Sequence, residues 1–470
     1  MMTYLIIGAT ILIWGTAFVF AYWAVLSART PQGSVAWVIF LLASPVLAIP
    51  AYLFLGNFRF KGYLVSRRDT REVVEGVAQF AASHMPLGDD DDVGYTAFEK
   101  IAEVPVLSGN GMKLLIDGQE TFDAIFAEMD KAEDYILVQF YILKDDELGR
   151  EFQQKLIDCA QRGVTVHLLF DAVGSAKLPK RYLEELEESG VKTVNAHDLQ
   201  GPRNRFQINF RNHRKTVIVD GRVGFTGGLN VGDEYMGRDP HFGHWRDTHC
   251  RIEGPIVLQL QLVFVEDWHW ATQDNVIPNL NWQGHRSPED MDALIMATGP
   301  ADEMETGSLY FCAAIAAARK RLWIATPYLI PDGDILSALK LAALRGVDVR
   351  IMIPEKADHY VTWLAAFAYF DELKQAGVKI LMYANGFTHQ KVLLVDESIA
   401  SIGTTNLDNR SCRLNFEATA IFFDKRAAQD VAAMLEKDFT ECKEVEKSFK
   451  DLPRLQRMGA PVARLFAPIL

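Results

Sequence analysis

The chain has 470 residues, enough for about three domains' worth of structure and a large buried core. Its formal net charge of -13 argues against a general nucleic-acid coat, which needs a broad basic surface, so any anionic ligand must be met by a local basic site. Five dispersed cysteines, Cys159, Cys250, Cys312, Cys412 and Cys442, form no CxxC pair, which fits a reducing compartment and argues against a structural zinc.

The N-terminal segment is unlike the rest. No charged side chain occurs from Met1 to Ala28, and the run Ile6 to Leu26 is long enough to cross a bilayer core, which takes about 20 residues. A second uncharged stretch, Val35 to Leu55, comes after the turn SARTPQGS. With no basic leader and too long an apolar run for a cleaved signal, residues 1–58 read as a transmembrane helical hairpin. Only Arg29 lies in the turn, whereas Arg59, Lys61, Arg67, Arg68 and Arg71 follow the second span. The positive-inside rule then puts the long remainder in the cytoplasm, and the same cluster suits anionic headgroups. Residues 59–110 form a juxtamembrane linker, where SHMPLGDDDDVG reads as a solvated acidic run.

An internal repeat organises the chain beyond residue 110. DYILVQFYIL from Asp134 parallels RLWIATPYLI from Arg321, and CAQRGVTVHLLFD parallels AALRGVDVRIMIP. LEELEESGVKTVNA is matched by FDELKQAGVKILMYA, with Gly190 and Gly377 where a helix C-cap glycine belongs. Alternating helices and short apolar strands predict an α/β fold with mostly parallel sheets, in two halves at 111–295 and 296–448. A basic, apolar tail at 449–470 resembles an interfacial segment, and its prolines at 453, 461 and 468 argue against one long helix.

Each half carries one copy of a spaced motif: His213, Lys215, Asp220 and Asn230 in the first, His389, Lys391, Asp396 and Asn406 in the second. Val217–Val219 indicate a strand whose period of two sets His213 and Lys215 on one face, and His389 and Lys391 do the same. Asp220 and Asp396 complete the motif at the strand turns, where they are better placed to brace the chain than to touch substrate. Lys and Asn side chains suit the non-bridging oxygens of a phosphodiester. One imidazole can attack phosphorus to form a phosphohistidine while the other moves the proton of the departing and then the incoming alcohol. No metal or other cofactor is needed. His241, His244, His249 and His269 match no zinc-site spacing, and their neighbours Trp245, Trp268 and Trp270 favour packing or lipid contact. Arg203, Arg205 and Arg211 form a basic loop before His213, and VTWLAAFAYF from Val361 reads as core, with an acyl-chain groove as the alternative.

The paired HxKxxxxD motifs, each followed by six residues and G(G/T)xN, resemble the phospholipase D superfamily. With the N-terminal hairpin and the stretches PYLIPDGDILSALKLAALRGVDVRIMIPEKADH and GFTHQKVLLVD, the chain is most similar to bacterial cardiolipin synthases of the two-span type. That likeness implies transfer of a phosphatidyl group from one phosphatidylglycerol to another, giving cardiolipin and glycerol, in the bacterial inner membrane with the catalytic part facing the cytoplasm. By motif position it implies His213 as nucleophile and His389 as general acid and base, with the half-sites nearly equivalent. It further implies Lys215, Lys391, Asn230 and Asn406 on phosphate, and Asp247 and Glu417 orienting the imidazoles. Phosphatidylglycerol and other anionic phospholipids, and the membrane itself, are the implied partners; nucleic acid is not, and a homodimer is compatible with the likeness. Hydrolysis to phosphatidic acid by a membrane-bound phospholipase D is the alternative. The family's common GS is here Gly227-Gly228 and Gly403-Thr404, which removes one serine hydroxyl from each half.

Overall fold

The structure, a computed structural model, describes residues 1–27, 31–56, 95–196, 210–446 and 448–470. Arg29, the basic cluster after the second apolar stretch, the acidic link, Arg203 and Arg205 lie outside the described residues.

Met2–Ser27 is one helix, of which Met2–Leu26 is long and apolar enough to cross a membrane. The second apolar stretch is not one continuous helix. It divides into Pro31–Ala43 and Pro45–Leu55 at Ser44, whose φ of -145° leaves the helical region. Pro45 explains the break: its ring disfavours helical geometry at the preceding residue. Ala21, Ala24, Leu41, Ala48 and Tyr52 pack where these helices meet.

The remaining described chain folds around one large mixed sheet. The strands of the first half are β1 (Leu107–Ile116), β2 (Tyr135–Phe140), β3 (Thr165–Phe170), β4 (Lys192–Asn195), β5 (Arg211–Asn212), β6 (Thr216–Val219), β7 (Val223–Gly227), β8 (Trp245–Arg246) and β9 (Thr248–Glu253). The second half supplies β10 (Met291–Thr298), β11 (Arg321–Ala325), β12 (Leu329–Ile330), β13 (Asp348–Pro354), β14 (Lys379–Tyr383), β15 (Phe387–Thr388), β16 (Val392–Val395), β17 (Ile399–Gly403), β18 (Leu407–Asp408), β19 (Asn415–Phe422) and β20 (Cys442–Glu444). The order across the large sheet is β20-β14-β13-β11-β16-β17-β19-β10-β1-β9-β7-β6-β2-β3-β4, and two two-stranded pairs, β12-β18 and β8-β15, stand apart from it.

The parallel pairing expected from the helix-strand alternation is found at the flanks, in β2-β3-β4 and β11-β13-β14. The centre corrects that expectation: from β16 through β10 and β1 to β6 every neighbouring pair is antiparallel. For two of these pairs the reason is local. Tight reversals at Asp220-Gly221 and Asp396-Glu397 join β6 to β7 and β16 to β17, and so short a connection can build only an antiparallel pair. Apolar side chains fill both faces of the sheet, the largest cluster including Leu294, Ile324, Ile351 and Phe370. The run from Val361 belongs to that core: in the helix Tyr360–Gln375 only its first residues, Tyr360 and Val361, are exposed large apolar groups. Gly190 and Gly377 sit just past helix ends with φ of 92° and 101°, as a C-cap glycine requires. In the tail, Arg454–Arg464 forms a helix that accommodates Pro461, while Pro468 lies in a following short turn.

Candidate active site

The histidines precede β6 and β16 rather than sitting within them. Each is fixed by a short strand pairing with the opposite half: β5 pairs with the start of β19, and β15 pairs with β8. The backbone N–H of His213 donates to the Phe416 carbonyl at 2.9 Å, and that of His389 to the Arg246 carbonyl at 2.8 Å.

Those acceptors precede the two carboxylates in sequence. Glu417 takes the Nδ1 proton of His213 at 2.8 Å, and Asp247 takes that of His389 at 2.8 Å. A carboxylate can only accept, so each Nδ1 carries the proton and each Nε2 presents a lone pair. Both acids are fully buried. The arrangement is crossed, since each imidazole draws its carboxylate from the other half of the chain.

The lysines repeat the symmetry. Lys215 Nζ donates to the His213 carbonyl and Lys391 Nζ to the His389 carbonyl, both at 2.6 Å. Each keeps donors to spare for an anion. Burial pushes Lys215 down to about 7, with Lys391 adding to the shift and Glu417 opposing it. Lys391 is pushed down to about 8, again chiefly by burial. Burial drives His213 down to about 4, against the pull of Glu417, and Lys215 and Lys391 add to the effect. His389 is likewise lowered, by burial first and then by Lys391 and Lys215. Each histidine thus feels both ammonium groups. Asp247 and Glu417 stay below the usual carboxylate range despite burial, because the neighbouring His and Lys favour their charged forms. The resting site therefore pairs neutral imidazoles with anionic acids, beside two ammonium groups held near their point of titration.

The two asparagines are buried but differ. Asn230 is engaged at both ends, its Oδ1 accepting from the Ile142 N–H and its Nδ2 donating to Tyr235 Oη at 3.1 Å. Asn406 Oδ1 has no hydrogen-bond partner among the described residues. Asp220 and Asp396 are not brought to the site. Asp220 accepts the backbone N–H groups of Glu133, Asp134 and Tyr135, and Asp396 those of Arg319, Lys320 and Arg321. At the far end of a strand, on the order of 20 Å from the imidazole by strand rise, they staple the turn to the start of β2 or β11. Both brace the chain at those turns.

The Gly-Gly and Gly-Thr departures have a structural reason. A Cβ at Gly228 would fall on the Asp247 carboxylate, so glycine makes room for the acid. Thr404, at the matching place, is tied to Ala418, its Oγ1 accepting from the Ala418 N–H at 2.9 Å. The remaining histidines of the first half are dispersed: His244 bonds Asp117 and Tyr383, His249 accepts from the Leu229 N–H, and His269 meets the Asp274 carbonyl. No group of three or more His, Cys, Asp or Glu side chains suited to a metal occurs among the described residues. Trp245 packs 5.3 Å from the His389 ring and Trp268 against His167 in the core.

Several supporting residues escaped the sequence reading. Arg214, between His213 and Lys215, forms a buried pair with Asp267 at 2.6 Å and reaches the Glu417 carbonyl. Its counterpart Gln390 meets Asp438, which also binds Arg246. The signal that could have found them was the polar residue lying between His and Lys in both motifs. Tyr141 stacks edge-on against His213 at 5.0 Å, with Lys215 Nζ over its ring.

Known proteins share the sequence and the fold. The family model for the cardiolipin synthase PLD-like domain matches twice, at residues 125–268 and 311–439. Cardiolipin synthase A of Pseudomonas putida strain GB-1 is 44% identical over 456 residues, covering 95% of each chain. Cardiolipin synthase A of Pseudomonas aeruginosa strain LESB58 is 43% identical over 477 residues, covering 99% of this chain and 96% of that protein. Among solved structures, the phosphatidylserine synthase of Haemophilus influenzae Rd KW20 superposes with a TM-score of 0.61 at 14% identity, over 81% of this chain and all of that one, a likeness of fold. On the near full-length identity, the chain belongs to the cardiolipin synthase family of phospholipase D-like phosphatidyltransferases.

Proposed function

We propose that the protein is a membrane-anchored cardiolipin synthase that transfers a phosphatidyl group from one phosphatidylglycerol to a second. The observation that carries this reading is the crossed pair of imidazole–carboxylate contacts, Glu417 on His213 and Asp247 on His389, beside two buried ammonium groups. Nε2 of His213 attacks phosphorus, the bond to the glycerol oxygen breaks, and that oxygen takes a proton from Nε2 of His389. A hydroxyl of the second phosphatidylglycerol then gives its proton to His389 and attacks phosphorus, and the P–N bond breaks to release cardiolipin. Lys215 and Lys391 balance the charge gathering on the non-bridging oxygens, aided by Asn406. His213 is cast as the nucleophile by its motif position; burial lowers both imidazoles, and His389 takes up its proton when the anionic lipid enters.

On this reading residues 111–295 and 296–448 are two copies of one unit sharing one site. Support comes from the strand orders β1-β9-β7-β6-β2-β3-β4 and β10-β19-β17-β16-β11-β13-β14, which correspond strand for strand. The two apolar segments before residue 58 form a hairpin with its loop outside, which keeps the catalytic part at the cytoplasmic face. Purified protein given phosphatidylglycerol alone, without added metal, tests the function: cardiolipin and glycerol appear in equal amounts. Phosphatidic acid in place of cardiolipin would make the enzyme a hydrolase and overturn the reading.

A further inference from the structure

The helix Arg454–Arg464 takes no part in the chemistry, yet it presents a face that water alone does not explain. It is seated on the helix Tyr360–Gln375 by its small residues. Ala460 and Ala463 are buried, Gly459 lies against Leu364, and the Arg464 guanidinium stands 4.3 Å over the Tyr369 ring. The opposite face carries Leu455, Met458, Val462 and Leu465, at steps of three, four and three residues, which is one stripe of a helix. Leu455 and Leu465 are 82% and 78% exposed, and Phe466 prolongs the stripe. Since Gly459 meets Leu364 and Arg464 meets Tyr369, the two helices run in the same direction. That brings Leu455 toward the end of its neighbour where Tyr360 and Val361 are also exposed.

Charge identifies the occupant. From Leu452 to Leu470 there are three arginines, Arg454, Arg457 and Arg464, and no acidic residue, in a chain whose net charge is -13. Arg464 is held by Tyr369 and Glu372, while an apolar stripe with Arg454 and Arg457 beside it fits the boundary between acyl chains and anionic headgroups. A soluble protein partner would meet the same apolar residues without needing that local reversal of charge. We infer that the stripe Leu455, Met458, Val462, Leu465 and Phe466 lies on an anionic phospholipid bilayer, the membrane that holds the Met2–Leu26 helix. The tail is also tied to the site: the carbonyls of Ile469 and Leu470 accept from Arg410 Nη1 at 3.0 Å and Arg410 N at 2.8 Å, four residues beyond Asn406. Bilayer contact therefore fixes the height of the phosphate-binding loop above the lipid, a consequence that rests on the lipid-transfer reading.

The test uses the full chain in vesicles of phosphatidylglycerol and phosphatidylcholine. Cys312→Ser/Cys442→Ser removes the half-buried thiols, and a fluorophore is attached at Met458→Cys, Val462→Cys or Leu465→Cys, with exposed Asp430→Cys as reference. A quencher carried on lipid dims the three stripe positions and spares position 430. Equal quenching at all four positions overturns the inference, as does shielding that follows protein density rather than quencher, which would assign the face to a second copy. In parallel, Leu455→Glu/Val462→Glu/Leu465→Glu lowers turnover of bilayer phosphatidylglycerol by about ten-fold or more while turnover of detergent-dispersed short-chain lipid stays within about two-fold. Equal turnover by triple variant and parent in both forms of lipid overturns it too. Should no variant or parent make cardiolipin, the functional reading fails while the quenching pattern still decides the docking.

Discussion

Glu417, on β19 of the second half, accepts the Nδ1 proton of His213 from the first half at 2.8 Å. The contact crosses the chain's own internal boundary, and Asp247 returns it to His389. Neither half can then present a correctly oriented imidazole alone, which makes the site a property of the interface. Glu417→Gln keeps an oxygen that can accept but loses the charge that steadies the imidazolium-like state. Turnover falls by about 10²- to 10⁴-fold with little change in thermal stability. Lipid turnover set beside a melting curve checks this, and unchanged turnover would remove Glu417 from the mechanism.

The two histidines separate when the leaving group no longer needs a proton. With a nitrophenyl phosphodiester lipid, whose phenolate departs unaided, His389→Ala still forms the phosphoenzyme and releases nitrophenol in a single burst. His213→Ala gives none. Rapid-quench detection of acid-labile phosphate on the protein distinguishes them, and the reverse pattern would exchange the two roles.

The pH profile follows from the buried cluster. Lys215 and Lys391, lowered to about 7 and about 8, are cationic below those values and lose charge as pH rises through them. His213, lowered to about 4, is a competent neutral nucleophile above that value and is blocked by a proton below it. The first step also needs a proton on His389, whose pKa burial lowers. Thus kcat/KM, which reports the free enzyme, already declines with rising pH before the lysines lose charge, declines more steeply above about pH 7 to 8, and falls on the acid side only near 4. The bound anion favours the ammonium form, so the alkaline limb of kcat lies at higher pH than that of kcat/KM. A kcat/KM that is flat to pH 10 would contradict the assignment of phosphate binding to these lysines.

Asp220 and Asp396 make a contrasting prediction. Each caps three backbone N–H groups and adopts a left-handed φ, 53° and 51°, which Asp tolerates better than most residues. Asp220→Ala strands those donors at a cost of about 1–3 kcal/mol. The melting temperature drops while kcat/KM of the folded fraction stays within about three-fold. A large fall in kcat/KM without destabilisation would return Asp220 to the chemistry.

How much of this could be read from the sequence depended on the range of the interaction. The spacing of His213, Lys215 and Asn230 and its second copy were visible because a strand and its hairpin are local. The parallel flanks followed from short apolar runs joined by helices. The antiparallel centre and the crossed strands β5 and β15 were not legible, because two-residue strands carry no periodicity and their partners lie some 200 and 140 residues away in the chain. The break at Ser44 could have been read from Pro45 but was masked by the uniform hydrophobicity around it. Arg214 and Gln390 sat in plain view inside the motif, and only their buried partners Asp267 and Asp438 give them meaning.

The pairing of Gly228 with Asp247, and of Thr404 with Glu417, carries a length rule. The backbones correspond, since Gly228 N donates to the Thr248 carbonyl and Thr404 N to the Ala418 carbonyl, both at 3.0 Å. Asp is one methylene shorter than Glu, so Asp247 must lie close against the backbone to hold His389, and a Cβ at 228 would occupy that space. The longer Glu417 reaches His213 while leaving room for the threonine. Gly228→Thr alone therefore displaces Asp247 and lowers turnover by about 10²-fold or more, and Asp247→Glu alone misplaces His389. The double variant Gly228→Thr/Asp247→Glu reproduces the second half-site within the first and recovers much of the lost activity. A double-mutant cycle on kcat/KM measures this directly. Simple additivity of the two losses would mean that glycine at 228 answers some need other than the reach of the acid.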